Sequence, residues 1–143
     1  MGSFVGARAA TTTATSVLLL CLLSAAAAVD TSYESGWCNE EEYATADPYA
    51  RSVEDMLADL QEIAEFFPVI NGTLVVDDGG GGPSPCYGSR TCSCTNDWLY
   101  VPRCQSCFVE AVKQLRSRCR PHRIGAQIAL KDCSVRYENV CFF

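Results

Sequence analysis

The residues of this chain with most scope for chemistry are its cysteines. Ten occur in 143 residues, and eight of them lie between Cys86 and Cys141. Cys92-x-Cys94 with Cys104-x2-Cys107 has a spacing that can hold zinc in a tetrahedral thiolate site. Cys104-x2-Cys107 by itself has the form of a redox dithiol, but a thioredoxin-like role needs a βαβ context that the flanking sequence lacks. His122 is the only histidine. It lies in a basic turn with no marked nucleophile, which argues against a hydrolase. Glu138 alone does not make a glycosidase pair. The expectation is a non-enzymatic protein without metal or cofactor.

The compartment decides what the thiols do. Residues 17–23 (VLLLCLL) form an apolar run of signal-peptide length, too short to span a bilayer, followed by small residues that suit cleavage near Ala28. Residues 1–28 therefore read as a signal peptide and residues 29–143 as one secreted domain. No other run is long and apolar enough for a membrane span. Nine cysteines remain, and in an oxidising compartment they are expected in disulfides, which disfavours the zinc and redox readings. Nine is odd, so at least one is free, blocked or bonded to another chain. Without Arg8, ten basic residues face 17 acidic ones, a net charge of −7. That argues against nucleic-acid binding and cationic membrane lysis, which both depend on positive charge.

Two helices and several strands must position these groups. Asp47 is a good N-cap and Pro48 suits the first helical turn. Val53, Met56, Leu57, Leu60, Ile63, Ala64 and Phe67 then recur at three and four, which predicts a helix of about twenty residues that Pro68 stops. Residues 69–70 and 74–76 read as short strands around Asn71-Gly72-Thr73, an N-glycosylation sequon expected on a turn. Residues 79–82 are a glycine loop without the Lys-Ser/Thr of a phosphate loop. Residues 86–94 have strand character, Asn96-Asp97 turns the chain, and Pro102 marks a second helix with Cys107, Phe108, Ala111, Val112, Leu115 and Cys119 on its inner stripe. Lys113, Arg116, Arg118, Arg120 and Arg123 gather near its C-terminal end, where they complement the helix dipole or form an anion site. Two alternating strands close the chain, 124–130 and 133–141. Their apolar sides should cover the helices, giving an α+β fold: two α-helices on one face of an antiparallel sheet of about five strands.

YGSRTC, CQSC opening a helix, Cys119 and IGAQIALKDCSVRYE together resemble the ginkbilobin-homologous domain of plants, also called the stress-antifungal or cysteine-rich repeat secretory domain. The resemblance covers nearly all of residues 29–143. It implies a disulfide-stapled fold in which Cys38 pairs with Cys119 and Cys107 with Cys133. Cys104 then pairs with Cys92, which matches the family position after Tyr87-Gly88, or with Cys94, whose spacing is nearer the family's. Cys92 is preferred. A fourth bridge, Cys86 with Cys141, would leave Cys94 as the odd thiol, open to a disulfide-linked dimer.

The resemblance also implies function. Ginkbilobin-like proteins bind mannose through an Asn after the first cysteine, an Arg in a GAR strand and a Glu in the last strand. The matching positions are Asn39, Gln127 and Glu138, with Gln in place of Arg. Strand alternation independently points Gln127 and Glu138 away from the apolar side. Amide and carboxylate suit sugar hydroxyls, but Gln cannot replace a guanidinium fork. The expectation is a secreted, apoplastic defence protein that binds mannose-containing glycans or fungal cell-wall mannan. The alternative is a protein-interaction module that partners receptor-like kinase ectodomains without binding sugar.

Overall fold

The computed structural model describes residues 29–63, 70–77, 84–93 and 100–143. The signal-peptide segment 1–28, the expected helix stop at Pro68, the glycine loop, Cys94 and the Asn96-Asp97 turn lie outside the described residues.

Alternation and helical periodicity build the layers. The chain runs β1 (Tyr33–Cys38), α1 (Tyr49–Asp59), β2 (Gly72–Val76), β3 (Cys86–Cys92), α2 (Tyr100–Arg118), β4 (Gly125–Leu130) and β5 (Cys133–Glu138). The strands form one antiparallel sheet in the order β1-β4-β5-β3-β2. Ala126, Ile128 and Leu130 of β4 and Cys133, Val135 and Tyr137 of β5 are buried under the helices. Val53, Met56, Leu57 and Leu60 from α1 and its C-terminal turn meet them, as do Phe108, Ala111, Val112 and Leu115 of α2. The polar segment before Cys38 forms the edge strand β1. The Asn71-Gly72-Thr73 sequon straddles the start of β2 rather than a turn, and Asn71 accepts the Cys92 N–H at 2.7 Å.

Three disulfides tie α2 and the residue after it to three strands: Cys92–Cys104, Cys107–Cys133 and Cys38–Cys119. Cys86 and Cys141 are both free, so the fourth bridge does not form. The reason is the sheet's two-sidedness. Cys86 points to the helix side, where Tyr49 Oη lies 3.6 Å from its sulfur. β5 ends at Glu138, three residues before Cys141, and the tail turns onto the opposite face, where Phe143 packs edge-on against Tyr87 and Phe142 lies on Arg136.

The first helix is shorter than its apolar pattern predicts. Asp47 does accept the Tyr49 N–H, at 2.9 Å, and Ile63 is still buried, but regular helix ends at Asp59. The cause lies in β3. Arg90 is only 6% exposed, and its guanidinium donates to the carbonyls of Asp59 (2.8 Å), Leu60 (3.3 Å) and Glu62 while lying 5.4 Å from the Phe108 ring centroid. A helix end leaves carbonyls without partners, and here a strand side chain supplies the donors. The turn tightens to i→i+3 bonds at Gln61 and Glu62.

Arg90→Met should therefore lower unfolding free energy by about 1–3 kcal/mol in urea titrations, because the Leu60 and Glu62 carbonyls lose their donor. Burial pushes the Cys86 thiol up to about 11, partly offset by its hydrogen bond to Tyr49. At pH 8 iodoacetamide should label Cys141 of the native, oxidised protein and reach Cys86 only in denaturant. Mass spectrometry of the peptides checks this.

Candidate functional site

The uncovered face of the sheet collects the polar side of each strand. Register sets its rows. Trp37 pairs with Gln127, Gln127 with Arg136, and Arg136 with Ser89, so these four side chains share one face across four strands. The adjacent row runs through Gly125, Glu138 and Tyr87. Asn39 joins it at the β1 end, where its N–H donates to Gly125 O at 2.8 Å. Asn39, just past β1, thus lies with Gln127 of β4 and Glu138 of β5 on two neighbouring rows.

The hydrogen bonds fix which way the amides face. The Trp37 indole N–H can only donate, and it lies 3.2 Å from Gln127 Oε1, so the Gln127 amino group is left for a ligand. The Glu41 backbone N–H likewise takes Asn39 Oδ1 at 3.0 Å, which leaves the Asn39 amino group outward. Glu138 Oε1 accepts from Arg136 at 3.1 Å, and Oε2 faces Gly125. A Cβ at Gly125 would overlap the Glu138 carboxylate and come within 3.1 Å of Tyr137 O. Only glycine lets the carboxylate lie over β4. The cluster offers two amide donors and one guanidinium oriented by the buried Glu138 carboxylate, a set that can donate paired hydrogen bonds to vicinal hydroxyls.

Arg136, Trp37 and Phe142 complete the group, and the residue-by-residue reading missed their part in it. The Arg136 guanidinium lies 4.0 Å from the Phe142 ring centroid and 5.5 Å from that of Trp37. It stands directly opposite Gln127. The hairpin carried the signal: Lys131-Asp132 is a two-residue connection, and counting outward from it pairs 127 with 136. The ion pair is held with Glu138 at only 8% side-chain exposure, beneath the aromatic tail. Among the described residues no three His, Cys, Asp or Glu side chains converge as metal ligands.

The family model for salt stress response/antifungal proteins matches residues 37–140. The chain belongs to this family. It is 30% identical over 115 residues to antifungal protein ginkbilobin-2 of Ginkgo biloba, covering 80% of this chain and 81% of that protein. To antifungal protein ginkbilobin-like protein 1 of Picea glauca it is 29% identical over 117 residues, 82% of this chain and 79% of the other. Plasmodesmata-located protein 7 of Arabidopsis thaliana is 28% identical over 81% of this chain, which spans 36% of its length. Among solved structures, the tandem DUF26 ectodomains of the Arabidopsis cysteine-rich receptor-like proteins PDLP8 and PDLP5 superpose with TM-scores of 0.62 and 0.64 at 23% and 20% identity. Each match covers 78% of this chain and about half of the ectodomain, 50% and 52%. The likeness confirms two helices on an antiparallel sheet as the family fold.

Gly125→Ala should displace the Glu138 carboxylate and break its ion pair with Arg136. The expected result is a loss of about 1–3 kcal/mol in urea unfolding, with a changed Glu138 carboxyl carbon shift in NMR. Ala129→Ser, on the same strand face, should change neither.

Proposed function

We propose that this family member is a secreted, non-catalytic defence protein that binds mannose-type carbohydrate on the open face of its sheet. The observation that carries the reading is the pairing of Gln127 with Arg136. A guanidinium stands beside Glu138 although the GAR position holds Gln. Glu138, buried against Gly125, would hold the Arg136 guanidinium in place, the remaining Arg136 N–H groups would donate to a sugar oxygen, and the Asn39 and Gln127 amino groups would donate at the edges. Trp37 and Phe142 flank the guanidinium with ring faces suited to the apolar side of a pyranose, the usual mix of a few oriented polar groups with aromatic walls. The curated relatives named antifungal proteins support a defence role, and the leader-like first 28 residues support secretion.

A second reading is favoured by the match to plasmodesmata-located protein 7 and by the likeness to tandem ectodomains. In it the domain is an extracellular partner of receptor-like proteins, and the open face meets protein rather than sugar.

Calorimetric titration of the oxidised protein with mannose and mannan separates the two. Binding should be lost in Glu138→Ala and weakened about tenfold in Arg136→Gln, the size expected for one charge-assisted hydrogen bond. Adding Gln127→Arg to Arg136→Gln should restore it, since the guanidinium returns to the same rung. No heat from the native protein or from Gln127→Arg, both folded, would sink the sugar reading. A stable complex with a receptor ectodomain that ignores Glu138→Ala would establish the second.

A further inference from the structure

The helix side of the sheet carries a separate recess. The N-terminal half of α1 and the C-terminal end of α2 part over Tyr137, and residues 43–45 close one side. The cleft encloses about 470 Å3, within the range of roughly 300–1,000 Å3 usual for small-molecule sites. Its floor is apolar: Val53, Leu57, Leu115 and the Tyr137 ring.

The rim is charged, and its balance is positive. Glu54 is the only carboxylate of the lining, and Arg116 holds it through two hydrogen bonds of 2.7 and 3.2 Å. Arg120, also in the lining, has no protein partner among the described residues. In a chain of net charge −6 this is a local reversal of sign. Beside it His122 adopts φ 68°, in the left-handed region that non-glycine residues seldom occupy. Its carbonyl accepts the Tyr43 N–H at 2.8 Å, and its ring lies 5.3 Å from the Tyr43 ring. Its Nδ1 is buried without a hydrogen-bond partner. A strained backbone that holds an unsatisfied imidazole at the edge of a cleft is the kind of outlier from which a site is inferred.

We propose that this cleft binds a small carboxylic acid with a flat apolar body. The carboxylate pairs with Arg120 at the rim beside the His122 ring, and the body lies on the Val53–Leu57–Leu115 floor beside Tyr43. Its residues are distinct from those of the open face, so it stands or falls independently of sugar binding.

The test is an NMR titration of the oxidised protein with 1-naphthoate and, separately, with the uncharged 1-naphthalenemethanol. Naphthoate should shift the Tyr43 and His122 ring resonances saturably, and the alcohol should bind about tenfold more weakly. Arg120→Glu, an exposed change that spares the core, should cost naphthoate a similar factor. Ala50→Trp should fill the cleft and abolish binding of both probes while circular dichroism stays native. Glu138→Ala should leave naphthoate binding unchanged. Absence of saturable shifts in the native protein, equal affinity for the alcohol, or undiminished binding by Arg120→Glu would overturn the proposal. So would undiminished binding by a folded Ala50→Trp variant.

Discussion

The three disulfides among the described residues all depart from one helix or the residue after it, and the rest of the structure is arranged around that clamp. Cys104 and Cys107 are three apart, which sets them roughly 5–6 Å from each other on one helix face. Their partners Cys92 and Cys133 are paired across β3 and β5, about 4.8 Å strand to strand. The helix repeat and the sheet repeat coincide, so two bridges form side by side without distorting either element. The third reaches from Cys119 to β1 at the sheet edge. In the chain-entropy picture the 81-residue separation of Cys38–Cys119 contributes about 4.5 kcal/mol, against about 3.5 for 26 residues and about 3 for 12. The longest closure also fixes the residue before Asn39, so the staple that stabilises most also places one side chain of the candidate site.

α1 has no such clamp among the described residues. It is held by its apolar stripe and by Arg90, whose charge is buried because the carbonyls at the end of the helix need donors. Gly88 lets Met56 settle onto β3, where a Cβ would collide with the thioether. One helix is fixed covalently and the other by packing, the buried Arg90 guanidinium and the more exposed Arg116–Glu54 ion pair. The cleft lies where the two part, which is where a structure of this kind has most freedom to adjust.

Much of this was legible in the sequence because it depends on local periodicity. The α2 stripe, the alternation of β4 and β5 and the placing of helices on one sheet face follow from spacing alone. What escaped depended on partners far along the chain. Ile63 keeps the helical rhythm of α1, but the backbone has already turned, since Arg90 lies some thirty residues away and nothing near Asp59 announces it. Cys86 and Cys141 looked like a pair because both seemed to lie on strands, yet β5 stops before Cys141 and the tail crosses to the other face. Gln127 read alone suggests a weakened site. Only the register of the hairpin shows Arg136 opposite.

That cross-strand arrangement bears on how such proteins are compared. A functional group in a hairpin belongs to a rung, and a rung has two sequence positions. Two point changes can move a charge from one strand to its neighbour while its place in space shifts by only the width of a strand. Read by position, 127 holds only an amide; read by rung, Gln127 and Arg136 together present an amide and a guanidinium. Surveys of binding competence in hairpin-built sites should score paired positions together.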